Sequence, residues 1–256
     1  MINLTGIQSY LADIVGLTIS AITLIAYHLY LAWRVGRDPS YSVQALHAVA
    51  RTAWVESIMK NGRDILAVQT LRNSTMAATF LASTAILLIV GVLSLSGQGD
   101  KLGITWHALS SVSETSPALW MVKLLFLIVD LSFAFFTFTQ AVRKFHHVGY
   151  LLNVPKDFNH PLITPHYVAA YLNRAGRYYS LGMRAYYFLL PLVFWLFGPN
   201  LMVGATLVLV FVLHHLDRAA DERGTLLPEA VPQRKAATAR INAHPNTHPL
   251  RPTRAA

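Results

Sequence analysis

Cysteine is absent from this chain. Disulfides, thiolate metal sites and cysteine nucleophiles are thereby excluded, and the redox compartment leaves no trace. Charge is scarce as well. Asp, Glu, Lys and Arg make up 13% of the 256 residues, against about 25% in a soluble domain. No Lys or Arg occurs in the first 33 residues, and the stretch 96–116 holds only Lys101. Short enzyme signatures are missing too: there is no H-E-x-x-H, G-x-S-x-G, Walker loop or G-x-G-x-x-G. That tilts the reading away from an enzyme without excluding one. No internal repeat is visible.

What is present is apolar. Hydrophobic residues make up 54% of the chain, and they gather in long runs that demand a bilayer. The net charge of +9 would suggest nucleic acid in a soluble protein. In a membrane protein basic loops set orientation and touch anionic headgroups, so lipid is the expected partner and nucleic acid is not. The N-terminal run lacks a basic flank and is too long for a signal peptide. It reads as a retained first transmembrane helix.

Four apolar blocks stand out, near 12–33, 72–95, 118–142 and 186–213. Four crossings would split the basic segments between the two sides. Segment 34–72 holds six Lys/Arg, segment 143–184 six more, and the tail from Arg218 seven. The last block contains Phe197-Gly198-Pro199-Asn200, with Gly198 suited to a helix end and Pro199 to a helix start. Dividing it there gives five spans, near 12–33, 70–95, 118–142, 178–197 and 200–217. All basic clusters then face the cytoplasm, with the N-terminus outside, the C-terminus inside and the inner membrane as location. The competing reading is one kinked helix across Gly198-Pro199.

The expected fold is all-α: an integral membrane domain over 1–220, then a disordered basic cytoplasmic tail over 221–256. Segment 38–62 reads as an interfacial amphipathic helix started by Asp38-Pro39-Ser40 and ended by Asn61-Gly62, with an apolar stripe of Val43, Leu46, Ala50, Trp54 and Ile58. A helix beginning near Asp64 runs into the second span. Thr164-Pro165 reads as a cap with proline in the first turn, and Pro191 predicts a kink in the fourth span. Ala78 and Ala82 permit close helix approach, within the bundle or across a homo-oligomer or a partner membrane protein.

The unusual polar residues collect at the predicted cytoplasmic boundary. His28 lies late in the first span; Gln69, Arg72 and Asn73 open the second; His147 follows the third. Arg184 lies early in the fourth and Asp217 ends the fifth. They read as one binding pocket. In it Arg72 and Arg184 hold a phosphate or carboxylate, or Asp217 pairs with one arginine, and His28 or His147 moves protons. The alternative is ordinary interfacial placement, with arginines snorkelling to headgroups. No cofactor is expected, and no histidine pair matches a ligand motif; a metal or haem is the alternative. Asp130 sits mid-span with Lys123 seven residues before it, about 10 Å along one helix. A carboxyl there reads as a proton site or as a protonated acid bonded between helices.

Several separated segments resemble the domain of unknown function 599 family of bacterial and plant membrane proteins. They are Tyr27-His28, Val68 to Asn73 with Met76-Ala77-Ala78, Arg143 to His147, Asn173-Arg174, the stretch 181–199 and Leu216-Asp217. The resemblance covers about 10–220 and implies a multi-pass protein without an established molecular function. It singles out His28, Trp54, Gln69, Arg72, Asn73, His147, Arg184, Pro191, Gly198, Pro199 and Asp217, with Trp54, Pro191, Gly198 and Pro199 as structural positions. Asp130, His214 and His215 fall outside its pattern. The leading functional expectation is binding or transport of a small anion, proton or metabolite. A scaffold protein and a lipid-modifying enzyme are the alternatives.

Overall fold

A computed structural model describes residues 4–37, 42–62, 64–97, 117–155, 160–161 and 163–217. The expected tail 221–256, the start signal Asp38-Pro39-Ser40 and Lys101 lie outside the described residues. Six helices carry the described chain: α1 (Leu4–Arg37), α2 (Val43–Asn61), α3 (Asp64–Ser96), α4 (Pro117–Leu152), α5 (Pro165–Phe197) and α6 (Pro199–Asp217). All but α2 are long and apolar enough to cross a membrane. Their outward residues are large and apolar, Phe80, Leu87 and Ile22 among them. Such a surface is stable in lipid and not in water.

The ends follow from local chemistry. The Ser42 hydroxyl caps α2 by accepting from the Gln44 N–H at 3.2 Å. Gly62, at φ 64°, closes it by donating to the Ile58 carbonyl. Thr164 caps α5 and Pro165 fills its first turn. The helix passes through Pro191 without ending.

Gly198 alone separates α5 from α6. Its φ of 153° and ψ of 155° belong to a region that essentially only glycine occupies. The chain reverses there: Arg184 and Asp217 flank the break and share an ion pair. A continuous helix would hold them about 50 Å apart. The kinked single helix is therefore excluded, and α5 and α6 form a helical hairpin.

The long helices pack in the order α3, α4, α5, α6, α1, with α2 laid mainly on α5. Ala78 and Ala82 are buried, Ala82 with Ala134 and Ala185, so the small face of α3 is used inside this chain. At the other edge α1 approaches α6 so closely that a Cβ on Gly16 would lie 2.8 Å from the Pro199 Cβ.

α4 is 36 residues long and α3 and α5 are each 33. That is about 50 Å of helix against about 30 Å of hydrocarbon. The excess gathers at the α2 end. There Val55 and Ile58 of α2 join Leu71, Val148, Leu152, Val168 and Leu172 in one buried core. The apolar stripe expected on α2 does not coincide with its contact face. Ile58 is buried and Trp54 half-buried, but Leu46 and Ala50 are exposed, and Val55 is buried in their place.

Candidate functional site

Beneath α2 lies a cavity of about 1000 Å³, walled by α2, α3, α4, α5 and α6. It lies where α2 packs on α5 beside the ends of the longer helices. Its lining is mostly apolar, from Trp54, Leu71, Phe145, Leu172 and Tyr179 among others. Polar groups enter from α2 (Gln44, His47, Arg51), from α3 (Thr70, Asn73, Ser74) and from the α5–α6 hairpin (Ser180, Arg184, Asp217).

At the hairpin wall, Arg184 Nη2 donates to both oxygens of Asp217, at 3.0 and 2.9 Å. The Tyr27 hydroxyl donates to the same carboxylate at 2.8 Å. Three helices, α1, α5 and α6, are thereby joined around one carboxylate. The Arg184 charge is matched by Asp217, so this wall contributes little net charge.

The opposite wall differs. Arg51 Nε donates to Asn173 Oδ1 at 2.8 Å. The Asn173 amide donates in turn to the Ala48 carbonyl and the Thr52 hydroxyl, both at 3.3 Å. Gln44 donates to Ser180. These bonds fix α2 on α5. The guanidinium rests where Gly176 leaves room; a Cβ there would lie 3.0 Å from Arg51 Cζ. No carboxylate pairs with Arg51 among the described residues. Burial pushes its pKa down from the ordinary value, because desolvation disfavours the cation.

The residues expected to form one pocket divide. Asn73, Arg184 and Asp217 line the cavity. Gln69 and Arg72 are exposed on α3 and do not. His28 points elsewhere: its Nδ1 lies 2.8 Å from the Leu24 carbonyl, and its ring packs on Tyr27 and Phe188. His147 is exposed and meets Tyr171 edge-on. The expected convergence of all seven therefore fails for four of them, because one helical face cannot turn neighbours such as Arg72 and Asn73 the same way. Trp54, expected to be structural, lines the cavity.

The sequence pattern of the family described as "Protein of unknown function, DUF599" matches residues 15–222. The chain belongs to this family. No curated protein matches it, and neither does any solved structure.

In this DUF599 chain the cavity face of α2 has a signal in the sequence. Gln44, His47, Arg51 and Trp54 recur at three- and four-residue spacing, which puts them on one helical face. That face lines the cavity. Asn173 and Tyr27 entered only as parts of the family resemblance.

A second buried network lies toward the opposite end of the bundle. Lys123 does not pair with Asp130. It forms a 3.0 Å ion pair with Asp13 and donates to the Trp195 carbonyl at 3.1 Å. Trp195 Nε1 donates to Asp13 Oδ1 at 2.5 Å. Asp13 stands at the edge of the first apolar run, and only its burial in the structure shows that its charge is paired inside the bundle. Among the described residues no three of His, Asp and Glu come together to hold a metal ion.

Proposed function

We propose that this chain binds a small amphipathic anion, a carboxylate or phosphate carried on an apolar body, in the cavity beneath α2. The observation that carries the reading is Arg51: a half-buried cation without a carboxylate partner among the described residues, beside a cavity of about 1000 Å³. An anion there would be held by a planar, charge-assisted donor set. Asn73, Ser74 and Ser180 offer further hydrogen bonds, and Trp54, Leu71 and Phe145 would cover the apolar part. The volume suits a metabolite-sized ligand. A closed scaffold has no use for such a space; His28 and His147 do not border it, and His47 is the histidine that does.

Orientation follows from charge. Arg34 and Arg37 end α1, and Arg51, Arg143, Lys144, Arg174 and Arg177 lie on the helix extensions around α2. We place this end in the cytoplasm, with the N-terminus outside, in the inner membrane, and α2 at the surface among anionic headgroups. The cavity then opens at the cytoplasmic face, where binding would begin a transport step.

The test is mass spectrometry of ligands released from the purified protein in nanodiscs, compared with Arg51→Gln. An anion enriched on the wild type and lost from the variant is expected. Identical ligand profiles in both preparations overturn the reading.

A further inference from the structure

A second cavity opens between α1 and α4, over α5 and α6. It measures about 380 Å³, near the small end of ligand sites. Its lining is apolar and aromatic, with Phe126, Phe133 and Phe188 on its walls and Pro191 beneath. Three polar side chains, Ser20, Asp130 and Thr206, interrupt it. Asp130 Oδ2 and Ser20 Oγ are both buried, and neither has a hydrogen-bond partner among the described residues. Ser20 is only 5% exposed. Thr206, also in the lining, already donates to the Met202 carbonyl at 2.8 Å.

Asp130 lies about 20 Å along α4 from its first residue, in the middle of an apolar stretch. The nearby cations are committed elsewhere, Lys123 to Asp13 and Arg184 to Asp217. Among the described residues no other titratable side chain lines the cavity. A lone carboxyl at this depth is costly and calls for a partner. An anion would be repelled. A metal ion would need several hard oxygen ligands, and none cluster here among the described residues. Phenyl faces attract an organic cation and shelter its substituents.

We propose that this cavity binds a small lipophilic organic cation, an ammonium with apolar substituents. Asp130 is its counter-charge, and the three phenyl rings enclose its apolar part. Ser20 accepts or donates a hydrogen bond where the ligand carries a polar group. The gap between α1 and α4 gives entry sideways from the bilayer. The site is separate from the anion cavity and does not depend on it.

The experiment is calorimetric titration of the full chain, in phosphatidylcholine nanodiscs, with benzyltrimethylammonium. This quaternary ion keeps its charge at every pH. Its neutral shape analogue, neopentylbenzene, is the control. One saturable site is expected in the wild type. Binding should weaken at least tenfold in Asp130→Asn, which keeps the side-chain size. It should weaken equally in Ala21→Leu, which fills the cavity from α1 and leaves the carboxyl intact. Arg51→Gln should bind like the wild type. If Asp130→Asn does not fold, Ala21→Leu decides the matter. The proposal fails if no saturable binding occurs, or if the folded variants bind unchanged. It also fails if neopentylbenzene binds as well as the cation, which would make the cavity an acyl-chain slot.

Discussion

Asp13 of α1 and Lys123 of α4 form a 3.0 Å ion pair with both side chains almost wholly buried. The backbones of α1 and α4 share no extensive contact face. The pair therefore links two helices that apolar contact alone would leave loosely joined. Trp195 completes it from the end of α5, with its ring N–H on Asp13 and its carbonyl under Lys123. A cation at the last carbonyls of a helix also meets the negative end of the helix dipole. The triad ties three helices at one end of the bundle, as Tyr27, Arg184 and Asp217 do toward the other.

Removing one member of the Asp13–Lys123 pair leaves an uncompensated buried charge. Asp13→Asn and Lys123→Met should each lower stability by about 3 kcal/mol or more. The double variant Asp13→Asn/Lys123→Met should be more stable than the sum of the two single losses predicts, since no charge then remains. Denaturant titration in mild detergent measures all three. Strict additivity would show that the pair makes no energetic contact.

Arg184→Gln should destabilise the α5–α6 hairpin by about 3 kcal/mol, because Asp217 would keep only its bond from Tyr27. Tyr27→Phe removes one hydrogen bond to a charged group and should lower stability by about 1.5 kcal/mol. Because the two share one acceptor, their effects should be non-additive. A double-mutant cycle by thermal unfolding reads the coupling.

Gly198→Ala forces a Cβ into a backbone region that L residues avoid. Among the described residues nothing lies within 4 Å of the added atom, so the effect is backbone strain rather than a clash. A loss of about 1–3 kcal/mol is expected, seen as a lower unfolding temperature. A neutral result would mean that the connection relaxes to another conformation.

A reporter fused after Asp217 should be active in the cytoplasm and inactive outside it. If each of the five long apolar helices crosses once, as proposed, the odd number sets the ends on opposite sides. An alkaline phosphatase fusion that is active at this position would reverse the proposed orientation.

Much of the fold was legible because the signals are local. Apolar length, the caps at Thr164 and Gly62, and the breaker at Gly198 act within a turn or two of chain, and each produced the expected helix boundary. The start of α2 shifted to Ser42, whose hydroxyl supplies the cap. The site was less legible. Sharing a depth in the membrane put His28, Arg72 and His147 with Arg184, but depth does not fix the direction in which a side chain leaves its helix.

By itself the sequence determined that this is a helical membrane protein with a breaker at Gly198-Pro199 and a charge asymmetry. Those properties sum over residues along one chain. The Arg184–Asp217 pair decided that the breaker is a hairpin and not a kink. Only the tertiary structure decided that Lys123 meets Asp13 rather than Asp130, that Arg184 is neutralised by Asp217, and that Arg51 is left beside a cavity. Those outcomes depend on which helices become neighbours and how each is rotated. Rotation is set by contacts between residues far apart in sequence, such as Gly16 against Pro199 and Arg51 against Gly176.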